Sequence, residues 1–234
     1  MRGERDRRTY AFVLATMAIP SQPPNPITQL PDHTITQLAA ARGRRLEYFT
    51  IVWNSAEAVA ALLAGLFAGS IALVGFGLDS VIEVSSGAVL LWRLRAESDA
   101  ERREHAEHRA QRLVGICFLA LAAYVAYDSI KGLVRHEAPE ESIFGICVAI
   151  ASLIAMPLLA RAKRQVARQL NSGAMHADSR QTDFCAYLSA ILLVGLLLNA
   201  LLGWWWADPM AALVMVPLIA REGIAGLRGE RCCD

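Results

Sequence analysis

The stretch Ile71–Arg95, IALVGFGLDSVIEVSSGAVLLWRLR, constrains the fold of this chain more than any other. It is long and apolar enough to cross a bilayer as a helix, which takes about 20 mostly apolar residues. Asp79 and Glu83, the acid pair, lie inside it and project from one helix face. A carboxylate in the bilayer interior costs at least about 2.5–3.5 kcal/mol. The acid pair therefore predicts a cation site; the alternative is two acids solvated in a crevice or paired with a basic residue.

The composition as a whole is that of a membrane protein. Hydrophobic residues make up 55% of the 234 residues, against about 45–50% in soluble domains. We predict an all-α integral membrane protein, with a six-transmembrane-helix bundle over 46–229. A mostly disordered cytoplasmic tail, 1–45, precedes the bundle, and a short tail, 230–234, follows it. The predicted spans are 46–68, 71–93, 113–134, 143–160, 175–201 and 204–220.

Basic residues indicate how these helices are oriented. If the six spans alternate in direction, all of the 23 Lys and Arg residues except Lys131 and Arg135 lie on the side of the two termini. Both termini are therefore expected in the cytoplasm, and the protein in the cell (inner) membrane. The basic clusters flank apolar helices without a soluble domain to present them, so no nucleic-acid partner is expected.

Polar side chains outside the acid pair supply two further candidate sites. Asn54 and Glu57 lie three apart on one face of the first span, where they predict either a hydrogen bond between helices or a supporting acid. His105 and His108 share a helix face in the polar segment 94–112 and could bind a borderline metal ion. Runs of this kind more often form a solvated charged helix.

Three local patterns predict the ends of helices. Residues 68–70, Ala-Gly-Ser, predict a tight turn between the first two spans. Asp208 and Pro209 predict the N-cap and the first helical position of the sixth span. Asp128 and Lys131 are expected to pair with each other near the end of the third span.

The opening of the fifth span, MHADSRQTDFCAYLSA, places several polar side chains on one narrow helix face. They are Asp178, Gln181, Thr182, Cys185 and Ser189. Asp183 lies about 140° away from Asp178 around the helix. Counted from the predicted outer ends, Cys185 lies about 24 Å deep, Glu83 about 20 Å and Asp178 about 35 Å. Cys185 is therefore expected at the level of the acid pair, and Asp178 at the cytoplasmic entrance.

The chain resembles the cation diffusion facilitator family in three motifs. These are GSIALVGFGLDSVIEVSSG, which holds the acid pair, the Ala-Asp opening of the fifth span, and WWADPMAALVMVPLIAREGIAGLRG on the sixth. The resemblance implies six transmembrane helices and a metal site built from two acids on the second helix and a His and an Asp on the fifth. Asp79 and Glu83 match the first two positions. Gln181 stands where His is expected, and Cys185 stands where Asp is expected.

The fifth-helix ligands therefore stay open among Asp178, Thr182 and Cys185, with Gln181 a weaker candidate. The family's usual cytoplasmic domain does not follow the sixth span here, so the chain resembles a truncated branch that lacks it. A homodimer is left open, because that domain normally helps to form it.

The resemblance implies a divalent metal cation exporter that exchanges metal for protons by alternating access. Metal ions, protons and the bilayer are the expected partners, with no enzymatic activity and no cofactor. Zn²⁺ is the expected ion because a thiolate at Cys185 favours softer metals; Cd²⁺, Co²⁺, Fe²⁺ and Mn²⁺ are alternatives. Two other functions are a membrane protein that binds metal and regulates a partner without transport, and a channel or transporter of another cation.

Overall fold

The computed structural model describes the backbone of residues 32–95 and 100–228, and the side chains of 37–92, 112–173 and 175–228. The described residues form six helices and contain no strand. These are α1 (Asp32–Ala68), α2 (Ile71–Arg95), α3 (Ala100–Arg135), α4 (Ile143–Leu170), α5 (Gly173–Leu202) and α6 (Ala207–Arg228). The bundle belongs to the compact unit Thr36–Asp234, and residues 32–35 belong to the preceding unit, Met1–Ile35.

Each described helix contains a stretch that is long and apolar enough to cross a membrane. The stretches are Gln37–Ala68, Ile71–Trp92, Arg112–Arg135, Ile143–Leu170, Met175–Leu202 and Ala207–Arg228. Large apolar side chains such as Phe67, Val134 and Ile143 point outward and are largely exposed, as a surface facing lipid requires. The predicted fold class, an all-α integral membrane bundle of six helices, is therefore confirmed.

Several helices begin or end at residues that differ from the bounds of the predicted spans. Helix α1 begins at Asp32, so part of the segment predicted to be a disordered tail, 1–45, is helical. Helix α4 continues to Leu170 rather than ending at 160, and α6 begins at Ala207 rather than at 204. The extension of α4 is amphipathic, because Lys163, Val166 and Ala167 are buried on one face while the other face is polar.

Short, tight turns connect α1 to α2 and α5 to α6. Gly69, in the predicted turn at 68–70, has a φ of 66°, and Gly203 after α5 has a φ of 64°. Both values lie in the left-handed region that glycine occupies without strain. The backbone N–H of Gly203 donates to the carbonyl oxygen of Asn199 at 2.9 Å, which ends α5. Ion pairing between Asp128 and Lys131 is also confirmed, at 3.4 Å.

Helix packing places α2 in the interior of the bundle. Helices α3 and α6 pack along each other, as do α4 and α5, and α2 contacts α3, α5 and α6. The α3–α6 contact depends on glycine, because a Cβ on Gly115 would lie 2.7 Å from the carbonyl oxygen of Gly223. Phe76 of α2 is fully buried in the main apolar core, which contains residues of α1 to α6. The face of α2 that carries the acid pair is thus packed against protein, while the face with Val81 and Trp92 is exposed.

The role predicted for Asp208 is wrong in one respect. Its carboxylate caps α2 rather than its own helix, since it accepts hydrogen bonds from Ser70 Oγ at 2.5 Å and from the backbone N–H of Ile71 at 2.9 Å. The first N–H groups of a helix have no partner within it, and a negative charge is favoured at that end. Sequence reasoning could not reveal that the N-terminus of α2 lies beside Asp208. Asp208 therefore fixes the start of the acid-bearing helix against α6.

We expect Asp208→Ala to destabilise the bundle, because buried donors at the start of α2 lose a charged acceptor. The free energy of unfolding should fall by about 2–3 kcal/mol. Thermal unfolding of the purified protein in detergent should show an apparent Tm lower by about 4–10 °C. The control is Asp128→Ala, which removes a partly exposed carboxylate that interacts with Lys131 and Tyr124 and should change stability by less than about 1 kcal/mol. Equal Tm values for the two variants would contradict a capping role.

Candidate metal site

The acid pair lies inside the bundle, one turn apart on α2. The Asp79 side chain is fully buried, and Glu83 is 5% exposed. Both carboxylate oxygens of Asp79 and Oε1 of Glu83 have no hydrogen-bond partner among the described residues. Buried polar atoms in proteins nearly always have partners. These three oxygens are therefore available to a ligand.

Helix α1 supplies the one described hydrogen bond to the acid pair. Asn54 Nδ2 donates to Glu83 Oε2 at 2.6 Å, and both side chains are buried. This is the interhelical hydrogen bond that was one of the two predictions for Asn54 and Glu57. Both residues also remain candidates for a supporting role at the acid pair. Asn54 orients Glu83, and Glu57 is itself a buried acid.

Glu57 adds a third buried carboxylate to this part of the bundle. It is 5% exposed, and neither of its oxygens has a hydrogen-bond partner among the described residues. Its charge interacts with those of Asp79 and Glu83. Three carboxylates from α1 and α2 thus share one region with few protein donors.

Helix α5 brings Cys185 to the same region. The thiol is fully buried beside Glu83. One turn further on, Ser189 Oγ donates to the carbonyl oxygen of Cys185 at 2.8 Å and lies 3.0 Å from Ser152 Oγ of α4. This hydroxyl pair joins α4 and α5 at the level of the cysteine.

The other candidates on α5 already have partners. Gln181 Oε1 accepts a hydrogen bond from Ser86 Oγ of α2 at 3.0 Å. The Thr182 hydroxyl donates to the carbonyl oxygen of Asp178 at 3.1 Å, within its own helix. The Asp178 carboxylate forms an ion pair with Lys163 of α4. Of the candidates on α5, Cys185 is therefore the one that lies beside the acid pair.

Asp183 lies elsewhere, where it pairs with Arg164 of α4. Within the described residues, no three His, Cys, Asp or Glu side chains converge closely enough to hold one ion. The side chains of His105 and His108 lie outside the described residues, although the backbone there belongs to α3.

Sequence reasoning did not identify Glu47 and Lys163. Lys163 Nζ is fully buried and lies 3.3 Å from Glu47 Oε1 while also pairing with Asp178. The predicted fourth span ends at 160, before this lysine and the basic segment 161–169. The helical period predicts that Lys163 is buried, because Met156, Leu159 and Lys163 continue one buried face of α4 beyond Pro157.

Comparison with known proteins places the chain in a family. A family model described as the cation efflux transmembrane domain matches residues 48–228. The chain belongs to the cation efflux family. This confirms the resemblance to cation diffusion facilitators drawn from the acid-pair motif.

Three relatives illustrate the similarity. An uncharacterised transporter of Synechocystis sp. is 27% identical over 71% of this chain and 56% of its own length. The magnetosome protein MamB of Magnetospira sp. is 28% identical over 68% and 56% of the two chains. The cation-efflux pump FieF of Shewanella oneidensis is 22% identical over 69% and 56%. The chain thus spans about half the length of these relatives.

We expect Asn54→Ala to weaken binding of a divalent cation by about 10–100-fold, as loss of an outer hydrogen bond to a metal ligand typically does. The physical reason is that Glu83 Oε2 loses its donor and the carboxylate is no longer held in one orientation. Titration of the purified protein with Zn²⁺ measures the change. The matched control is Ser55→Ala, which alters an exposed hydroxyl bonded to the carbonyl oxygen of Ile51 on the same helix. If both variants bind Zn²⁺ like the unmodified protein, Asn54 does not position a ligand.

Proposed function

We propose that this protein exports a divalent metal cation in exchange for protons, with Asp79 and Glu83 as the central metal-binding residues. One observation carries the proposal. In a member of the cation efflux family, two buried acids lie one turn apart in a helix of bilayer length, and three of their four oxygens lack a partner among the described residues. Such acids inside a membrane mark ion pathways.

The coupling between metal and proton follows from electrostatics. A site of ionised carboxylates is too costly to bury in the bilayer unless its charge is neutralised. Either a divalent cation or protons can do this, and they compete for the same oxygen lone pairs. Metal release on one side is therefore accompanied by proton uptake, and the neutralised site can return through an occluded state. This is alternating access driven by charge compensation.

The residues around the acid pair support Zn²⁺ as the cargo. Cys185 lies beside Glu83, and a thiolate favours Zn²⁺ or Cd²⁺ over Mg²⁺ or Ca²⁺. Glu57 supplies a further carboxylate, and Asn54 orients Glu83. We place Asp178 outside the ion's direct ligands, because its carboxylate pairs with Lys163. Thr182 and Gln181 are placed outside as well, since each already has a hydrogen-bond partner.

Membrane orientation is part of the proposal. If the six helices alternate in direction, almost all of the Lys and Arg residues belong to segments on the side of the start of α1 and the end of α6. The positive-inside rule then places this end in the cytoplasm and the protein in the cell membrane. Export would proceed from the end that contains Glu47 and Lys163 towards the end that contains Asp208.

The direct test is metal flux in proteoliposomes that contain the purified protein. We expect Zn²⁺ to enter vesicles whose interior is more acidic than the medium, and the flux to stop when an ionophore collapses the proton gradient. A fluorescent Zn²⁺ indicator and a pH indicator inside the vesicles report both ions. Zn²⁺ binding without flux would favour a regulatory protein that does not transport. Flux that ignores the proton gradient would favour a channel.

Substitutions of the acid pair should separate charge from shape. Asp79→Ala should abolish Zn²⁺ flux, because a ligand and a proton acceptor are lost together. Glu83→Asp should retain more flux than Glu83→Gln, since aspartate still ionises whereas glutamine keeps only a carbonyl oxygen. Flux is measured in proteoliposomes and normalised to the amount of reconstituted protein. Near-normal flux for Asp79→Ala, or equal flux and pH dependence for Glu83→Gln and the unmodified protein, would remove that acid from the site.

Substitutions on α5 should test the assignment of Cys185. Cys185→Ala should weaken Zn²⁺ and Cd²⁺ binding about tenfold or more while changing Mn²⁺ binding little, because only the softer ions prefer sulfur. Asp183→Asn is the matched control, since that carboxylate pairs with Arg164 away from the acid pair. Competition titrations with metal-sensitive dyes provide the affinities. A severe effect of Asp183→Asn together with a silent Cys185→Ala would reverse the assignment.

A further inference from the structure

The function proposed above does not use the most deeply buried cation of the described residues, the ammonium group of Lys163. Its side chain is fully buried in α4, and Nζ lies 3.3 Å from Oε1 and 3.4 Å from Oε2 of Glu47 in α1. Nζ also forms an ion pair with Asp178 in α5. The Glu47 side chain is fully buried, and that of Asp178 is 10% exposed. These three residues, the ion cluster, join three different helices.

The ion cluster lies one helical turn from the acid pair. Gly87 follows Glu83 by one turn on α2, and a Cβ built on Gly87 would lie 3.5 Å from Glu47 Oε2. The hydrogen bond between Ser86 of α2 and Gln181 of α5 lies at this same level. The ion cluster therefore stands between the acid pair and the end of the bundle at which α1 and α5 begin.

An apolar layer follows the ion cluster towards that end. Leu90 of α2, Val166 and Ala167 of α4 and Met175 of α5 are buried together in a second apolar cluster, separate from the main core. Gly43 of α1 packs against it, because a Cβ at that position would lie 3.0 Å from Met175 Cε. The helices that surround the ion cluster are thus also in contact beyond it.

We propose that Lys163 is the residue that closes this end of the bundle: its tethered ammonium holds Glu47 and Asp178 together, and so holds α1, α4 and α5 around the path to the acid pair. The inference rests on the proposed transport function, in which this end faces the cytoplasm. An ammonium group in the path also repels an approaching metal cation. Access to the acid pair from this end requires the ion cluster to separate.

A lysine suits this role because of its geometry and charge. Its ammonium group has three donors and can serve two carboxylates at once. Buried ion pairs of this kind add little to stability compared with apolar residues of the same volume. A role in closing this end of the bundle explains why a buried ion cluster is present here.

The Cys185 thiol can report closure. It is fully buried beside Glu83, and the ion cluster lies between it and the end of the bundle at which α1 begins. Substitution of Cys117, Cys147, Cys232 and Cys233 by serine leaves Cys185 as the single cysteine of the five in the chain. A membrane-impermeant methanethiosulfonate reagent is applied to sealed vesicles from the side of the N-terminus. The rate of Cys185 modification then measures access through the ion cluster.

We expect Lys163→Met to raise this modification rate at least tenfold, and Lys163→Arg to keep it close to the rate of the unmodified background. The matched control is Arg164→Met, which removes the neighbouring ion pair with Asp183 on a half-exposed face and should leave the rate unchanged. A modification rate for Lys163→Met equal to that of the background would overturn the proposal. So would an equal increase in the Arg164→Met control.

A second variant keeps the test decisive if Lys163→Met leaves two unpaired buried carboxylates and fails to fold. The triple variant Glu47→Gln, Lys163→Met, Asp178→Asn removes the charges with little change in volume. Elution as a single species in size-exclusion chromatography confirms its folding. Faster modification of Cys185 in this variant supports closure by the ion cluster, and an unchanged rate overturns it.

The labelling readout does not depend on transport, so the two proposals can fail separately. If the unmodified protein moves no metal but Lys163→Met exposes Cys185, closure by Lys163 stands and the transport function fails. If the unmodified protein transports Zn²⁺ but labelling is unaffected by Lys163→Met, the transport function stands and closure by Lys163 is wrong.

Discussion

A charge buried within a bilayer-spanning bundle must be compensated, and the interior of this protein is arranged around that requirement. The described helices bury six acids: Glu47, Glu57, Asp79, Glu83, Asp178 and Asp208. Two of them share an ammonium group, one is bonded to backbone N–H groups, and the other three have carboxylate oxygens without a hydrogen-bond partner among the described residues. The cost of burying an ion is large enough that each arrangement has a distinct consequence.

Where fixed protein groups compensate a buried charge, they hold the helices that carry it in place. Asp208 binds the first turn of α2, and neither the carboxylate nor those N–H groups has a better alternative within the apolar interior. The start of the acid-bearing helix is thereby fixed to α6. Asn54 acts in a similar way on α2 itself, since its hydrogen bond constrains one oxygen of Glu83 and leaves the second without a partner among the described residues.

The proposed function uses the acids whose charge the described protein groups leave uncompensated. Asp79, Glu83 and Glu57 carry more negative charge than the neighbouring described side chains neutralise, so a mobile cation or protons must supply the difference. The same helices hold Glu47 and Asp178 with a lysine instead. One bundle therefore contains two kinds of acid cluster, one that the proposed function assigns to a mobile cation and one that already contains a tethered cation. Their separation by a single helical turn allows rearrangement at one to affect the other.

Several of these features could be read from the sequence because they depend on local periodicity. The six apolar stretches, the shared face of the acid pair, the turn at Gly69 and the separation of Asp183 from Cys185 all follow from helical geometry and bilayer thickness. The extension of α4 was missed because its apolar face continues through a basic segment. A window that averages hydropathy cannot detect one buried face on a charged helix.

The sequence by itself determined which residues share a helix face, since a regular helix needs only residue spacing to place its side chains. Only the tertiary structure decided which partner each buried charge received. Asp208 and Ser70 are distant in the chain, as are Lys163 and Glu47, yet each pair is in contact. Side chains from different helices meet according to the rotation and depth of whole helices, which local patterns do not encode. That is why the shared face of the acid pair was predictable, whereas the pairing of Lys163 with Glu47 and Asp178 was not.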